Sequence, residues 1–183
     1  MRIVAGKYRH RLINYPNDAE HIRPTKDRIR EALFSALGPL NHLSVLDLYA
    51  GSGAMAIEAL SRGALFATLV DNNPIAIKTI KSNIQSLQID NAEIIFDSDI
   101  NALNKLEKEG RIFDLIILDP PYKEGKYIEI IESLINKKLL SKEARIVTEC
   151  DHDLDFSSIN TTKIKTYRYG EIIVNVLYLS ISH

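Results

Sequence analysis

Asp119-Pro120-Pro121-Tyr122 places a carboxylate, two backbone-locking prolines and an aromatic ring in four consecutive positions. Proline fixes φ and has no N–H, so the segment is a stiff turn in which the Pro120 carbonyl is not consumed by a helix. Two acceptors, the Asp119 carboxylate and the Pro120 carbonyl, can bind the two protons of an exocyclic amino group on a nucleobase. Such a nitrogen is a poor nucleophile because its lone pair is delocalised into the ring. Holding both protons positions it, favours a more tetrahedral geometry and frees the lone pair for an electrophile. The Tyr122 ring can clamp the base by stacking, worth about 1–3 kcal/mol in single-stranded sites. The base must be unpaired or flipped out to enter. A proline-rich strand-to-loop turn has the same composition, so the reading depends on what accompanies the motif.

A second segment, Asp47-Leu48-Tyr49-Ala50-Gly51-Ser52-Gly53-Ala54, follows a short apolar strand and opens a helix. Glycines allow a tight turn and close backbone approach to a ligand, and the helix start offers free N–H groups. Three ligand types are compatible with a glycine turn here. A phosphate loop is excluded because no Gly-Lys-Ser/Thr follows. A dinucleotide fingerprint fits loosely as Gly51, Gly53 and Ala56. An S-adenosylmethionine loop fits with an acidic residue just before the glycines. Asp47 disfavours a pyrophosphate and suits a ligand with a cationic amino acid end, which a carboxylate holds by a charge-assisted hydrogen bond. The next strand ends at Asp71, where a carboxylate can accept both ribose hydroxyls. Asp99, after the third strand, is a candidate partner for an adenine amino group and equally a candidate helix N-cap. Tyr49 and Asn72 complete the candidate cofactor set.

The elements around these segments alternate. Strands are expected at Ser44–Leu48, Leu65–Val70, Glu93–Phe96, Phe113–Leu118 and Ala144–Thr148. Helices are expected at Ala54–Arg62, Pro74–Leu87, Ile100–Lys108 and Tyr127–Asn136. Such alternation predicts a parallel sheet with helices on both faces, and ligands bind such sheets at the carboxyl ends of the strands. Ile164–Arg168 and Ile172–Leu179 flank Tyr169-Gly170-Glu171 with no helix between, which predicts an antiparallel hairpin at the sheet edge. Ahead of the sheet, Ile3–Ala5 and Arg9–Ile13 read as two short strands around Gly6-Lys7. A helix follows from Arg23-Pro24-Thr25, with Thr25 as its cap, to Gly38-Pro39. Glu58 and Arg62, four residues apart, read as a surface pair worth a few tenths of a kcal/mol.

Net charge is −1 and predicts no partner, but its distribution is uneven. Residues 1–30 hold eight lysines and arginines against three acids, leaving 15 basic and 21 acidic residues in the remainder. A basic arm on an acidic body is compatible with a polyanion contact, and equally with a solvated basic hairpin. A single cysteine excludes an internal disulfide or a cysteine zinc cluster, so an intracellular, metal-independent chain is expected. No apolar h-region opens the sequence, and no apolar run approaches the ~20 residues of a membrane span.

Taken together, these segments resemble the RsmD-type methyltransferases, which modify a guanine N2 in 16S ribosomal RNA. The resemblance covers nearly the whole chain. It is carried by Gly6-Lys7-Tyr8-Arg9, by Ile22-Arg23-Pro24-Thr25-Lys26-Asp27-Arg28-Ile29-Arg30-Glu31-Ala32-Leu33-Phe34, by Val45–Gly53 with Glu58–Ala64, and by Asp119–Tyr122. The second stretch is specific, because general N6-adenine and glutamine methyltransferases lack it. Two departures stand out: Asp71 occupies a position where relatives usually have Glu, and His10 one where glycine is common.

The resemblance implies an α/β, Rossmann-like class I S-adenosylmethionine-dependent methyltransferase fold. Its seven-stranded sheet is mostly parallel with an antiparallel last strand, and an N-terminal β-hairpin and helix precede it. Residues 1–38 form the arm packed on a methyltransferase domain of residues 39–183. Asp119, Pro120, Pro121 and Tyr122 are the catalytic set; Asp47, Tyr49, Gly51, Gly53, Asp71, Asn72 and Asp99 are the cofactor set. Lys7, Arg9, Arg11, Arg23, Lys26 and Arg28 are the RNA-contacting set. The expected partner is 16S rRNA in the small ribosomal subunit or an assembly intermediate. A cytoplasmic monomer is expected, using S-adenosylmethionine and no metal. Two other functions share parts of this pattern: an adenine-N6 or protein glutamine methyltransferase, and a non-catalytic RNA-binding module. The first usually carries a target-recognition insertion when it acts on DNA, and this chain has only a hairpin after Thr148. Intact Asp119, Pro120 and Tyr122 argue against the second.

Overall fold

Short β-branched and leucine-rich runs separated by amphipathic helices fold here into one twisted sheet. The structure, a computed structural model, describes residues 1–16, 24–120 and 125–182. The elements in chain order are α1 (Pro24–Leu37), β1 (Ser44–Asp47), α2 (Ala54–Ser61), β2 (Phe66–Asp71), α3 (Pro74–Leu87), β3 (Ala92–Phe96), α4 (Asp99–Lys108), β4 (Phe113–Leu118), α5 (Tyr127–Asn136), β5 (Leu140–Cys150), β6 (Thr161–Tyr169) and β7 (Ile172–Leu179). The seven strands lie in the order β3-β2-β1-β4-β5-β7-β6. The first five are parallel, and β7 runs antiparallel between β5 and β6. This is the expected Rossmann-like methyltransferase sheet.

Side chains along a strand alternate between its faces, and the sheet sorts them into two cores. Val45, Leu69, Leu115, Ile117, Val147 and Val174 pack with α1, α2 and α3. Leu46, Val70, Ile116, Leu118, Ile146 and Leu177 pack with α4 and α5. Both faces are buried, which explains why the parallel strands read as continuous apolar runs.

The arm is the expected antiparallel hairpin, though a short one. Arg2 bridges Leu12, and Ile3 N donates to Arg11 O, His10 N to Ile3 O and Ile13 N to Met1 O. Other amides of the arm bond to α2. Val4 N and Ala5 N donate to the Glu58 carboxylate at 2.9 and 3.1 Å. Lys7 N donates to the Ser61 carbonyl and Tyr8 N to Ser61 Oγ. Gly6 permits this approach: its φ is +83°, and a Cβ there would stand 1.7 Å from the Ser61 carbonyl oxygen. His10, the second departure from the resemblance, has φ +67°. That left-handed backbone is the physical reason for a glycine there. Ile3, Tyr8 and Ile13 sink into the same core as α1 and α2.

Two further expectations are corrected. Glu58 is fully buried, not a surface partner of Arg62. It binds Arg62 Nε at 2.8 Å and faces Arg30 Nε at 3.4 Å, in addition to the two arm amides. Arg30 is itself 3% exposed and also pairs with Asp27, so it does not belong to the basic surface. The Glu58 carboxylate's arm partner Val4 lies 54 residues away in sequence, which a helix-local rule cannot anticipate. Second, α1 begins at Pro24. Thr25 therefore lies in the first turn rather than at the cap, with proline in the first-turn position it favours.

Candidate active site

Four carboxylates stand at the carboxyl ends of four neighbouring parallel strands: Asp99 beyond β3, Asp71 on β2, Asp47 on β1 and Asp119 beyond β4. Such a crevice at the strand ends is where open α/β sheets bind ligands. The glycine segment threads it: Leu48 N donates to Ile117 O on one side and Ala50 N to Val70 O on the other.

The loop is shaped by backbone conformation. Gly53 is the N-cap of α2 with φ +78°, and a Cβ there would sit 3.0 Å from a Leu69 methyl. Asp71 holds the loop from below, because its Oδ2 accepts from Gly51 N and its Oδ1 from Asn73 N, both at 2.8 Å. An ionised carboxylate has about four acceptor positions, so two remain for a ribose. The aspartate, one methylene shorter than a glutamate, reaches the loop amide directly. Asn72 follows it and is exposed. Asn83 of α3, fully buried, ties the loop to the arm: its Nδ2 donates to Ser52 O and Asn14 O, and its Oδ1 accepts from Asn14 N.

Asp47 is buried and accepts from Ala56 N at 3.3 Å. Burial pushes its carboxyl up to about 7, with the Ala56 amide opposing and Asp71 adding to the rise. A buried carboxylate held by one long neutral hydrogen bond is under-compensated, and a ligand ammonium would compensate it. The residues present therefore fit the amino acid end of S-adenosylmethionine. Asp99 is not the N-cap of α4. Ser98 caps the helix, its Oγ accepting from Asn101 N. Asp99 occupies the first helical position, where its Oδ2 accepts from the Tyr49 hydroxyl at 2.7 Å. Ile100 and Leu103 line a cavity of about 150 Å³ with it, opposite Ile130 of α5.

On the α1–α2 side, a cavity of about 80 Å³ connects the cofactor loop to the β4 motif. Ala54 and Met55, directly after Gly53, line it together with Asp119, Glu149, Arg30 and Tyr15. Asp119 is exposed and Pro120 buried. Burial raises the Tyr15 phenol, Arg30 opposing. Pro121, Tyr122 and Arg23 lie outside the described residues. Lys7, Arg9, Arg11 and Arg28 are exposed, and Arg11 also donates to Ser86 O on α3. Lys26 lies in the first turn of α1.

Glu149, Tyr15, Arg30 and Asn83 escape the sequence reading. Only Glu149 left a usable signal, as a carboxylate ending a buried strand next to the motif strand. The expected strand stops at Thr148, one residue short of it.

A family model described as conserved hypothetical protein 95 matches residues 1–178. Ribosomal RNA small subunit methyltransferase D of Buchnera aphidicola is 38% identical over 148 residues, covering 80% of this chain and 76% of that protein. The Escherichia coli protein of the same name is 36% identical over 152 residues, covering 82% and 75%. The solved structure of yhhF from Escherichia coli superimposes with a TM-score of 0.83 at 29% identity, covering 100% of this chain and 99% of that one.

Proposed function

The chain belongs to the conserved hypothetical protein 95 family, the RsmD-type methyltransferases, and from that premise we propose that it methylates the exocyclic N2 of a guanine in 16S ribosomal RNA, using S-adenosylmethionine. The observation that carries this reading is the cavity joining Asp119 to the first turn after the glycine loop. It supports a reading in which Asp119 holds the amine beside the cofactor crevice.

S-adenosylmethionine, when bound, supplies an electrophilic methyl group on a sulfonium. Asp47 would hold its ammonium, Asp71 its ribose hydroxyls and Asp99 its adenine amino group, with Tyr49 orienting Asp99. Asp119 and the Pro120 carbonyl accept the two N2 protons of the target base. Held this way, the nitrogen lone pair projects out of the ring's conjugation, and placement at near-attack distance supplies much of the rate. Tyr122 covers the base face. Asp119 acts first as a positioning acceptor, since the alkylated nitrogen is acidic enough to lose its proton to water. Lys7, Arg9, Arg11 and Arg28 present a basic surface for RNA phosphates, with Arg23 and Lys26 continuing it in sequence. The arm of residues 1–38 thus serves as the RNA-contacting part of a methyltransferase body of residues 39–183.

Asp119→Ala tests the assignment. Turnover on unmodified small subunits should fall by at least ~100-fold, the scale of losing one preorganised polar contact to the reacting group, while cofactor affinity stays unchanged by calorimetry. Unchanged turnover would remove Asp119 from the chemistry.

A further inference from the structure

The cavity beside Asp119 holds a second carboxylate that the N2 amino group does not require. β4 and β5 pair in parallel with Leu118 opposite Thr148. The next residues are Asp119, just past the end of β4, and Glu149, still on β5. Both line the same cavity. The Glu149 backbone is pinned there, because the fully buried Tyr127 of α5 donates its hydroxyl to the Glu149 carbonyl at 2.7 Å. Arg30 lines the same cavity, its guanidinium paired with Asp27 and facing Glu58.

Beside its N2 amino group, guanine presents an N1–H donor on its Watson–Crick edge, the edge by which flipped bases are read. Adenine and 2-aminopurine present a lone pair at N1. An ionised carboxylate accepts hydrogen bonds and cannot donate one. We propose that Glu149 is the residue that selects guanine, its carboxylate accepting the N1–H of a base whose amino group is held by Asp119 and the Pro120 carbonyl. This assignment rests on the guanine-N2 reading above. It gives the two acids separate tasks: Asp119 activates the amine, and Glu149 checks which base carries it.

The test uses the full chain and small subunits reconstituted with 16S RNA carrying either guanine or 2-aminopurine at the target position. 2-Aminopurine keeps the C2 amino group and offers an acceptor at N1. Wild type should prefer guanine strongly. In Glu149→Gln, whose amide can donate to that acceptor, the guanine preference in kcat/KM should fall by at least ~10-fold, the scale of one hydrogen bond to a charged group. Intrinsic differences in amine reactivity cancel in the wild-type-to-variant ratio. Cofactor affinity should not move. Glu149→Asp keeps an acceptor-only carboxylate and should retain the preference while losing overall rate. An unchanged preference in Glu149→Gln, or an equal loss in Glu149→Asp, overturns the assignment and leaves the guanine-N2 reading intact. Absence of N2-methylguanine from the wild-type product overturns both.

Discussion

Replacing Asp47 by asparagine should make the ligand-free protein more stable and nearly abolish cofactor binding. The Asp47 carboxyl rises from 3.8 to about 7 in the fold, chiefly through burial. At ~1.4 kcal/mol per pH unit, ionising it in place costs about 4 kcal/mol at neutral pH. The direction follows from proton binding. The folded state holds this proton more tightly than the unfolded chain, so stability falls as pH rises from 3.8 toward about 7 and is level beyond. Asparagine keeps an acceptor for Ala56 N and never ionises. In urea unfolding without cofactor, Asp47→Asn should therefore exceed wild type by several kcal/mol at pH 8. About 2–3 kcal/mol of that gap should open between pH 5 and pH 8. Other titrating groups are shared by both proteins and cancel in the difference. In a chain of this size, 4 kcal/mol corresponds to roughly 10 °C in Tm. S-adenosylmethionine should reverse the ranking, since its ammonium compensates the charge in wild type alone. Its affinity for wild type should weaken about tenfold per pH unit below 7, where binding must expel the Asp47 proton. Equal stability of the two proteins at pH 8, with a gap independent of pH, would refute this account of Asp47.

Glu58→Ala should be severe, because it leaves the buried Arg30 and the Val4 and Ala5 amides without their shared acceptor. Breaking one side of a buried ion pair costs about 3–5 kcal/mol; chemical unfolding should show that loss, and proteolysis should cut the arm first. A loss under ~1 kcal/mol would mean that the arm is held without the Glu58 contacts. The triple substitution of Arg9, Arg11 and Arg28 by alanine should flatten the salt dependence of subunit binding, lowering the log–log slope by about 2 to 3. An unchanged slope would take these side chains out of the RNA interface.

Most of the body is legible from local pattern. α3, β4, α5 and β7 match their expected ranges to the residue, because each has both a clear period and a turn or cap at its ends. The glycine segment and the β4 motif meet because adjacent parallel strands must deliver their ends to one crevice. What local pattern does not reveal is the use of a polar group across the fold. Glu58 looks like a helix-surface acid until Val4 and Ala5 arrive from 54 and 53 residues away. Asn83 looks like a polar position on an amphipathic helix until the loop and arm both need it. The arm reads as a hairpin and forms one, but its anchoring on Glu58 and Ser61 of α2 has no local signal. Ser98 and Asp99 both suit a helix start, and only the structure assigns capping to Ser98 and leaves Asp99 to Tyr49. For Glu58 and Asn83 the miss is a tertiary partner overriding a local preference; for Asp99 it is a choice between two adjacent local caps.

Nucleoside analysis bears most directly on the central claim. Unmodified small subunits are incubated with the purified chain and methyl-labelled S-adenosylmethionine, then their 16S RNA is digested to nucleosides. Label recovered in N2-methylguanosine is the predicted result; label recovered in N6-methyladenosine, or in protein and not RNA, would contradict it.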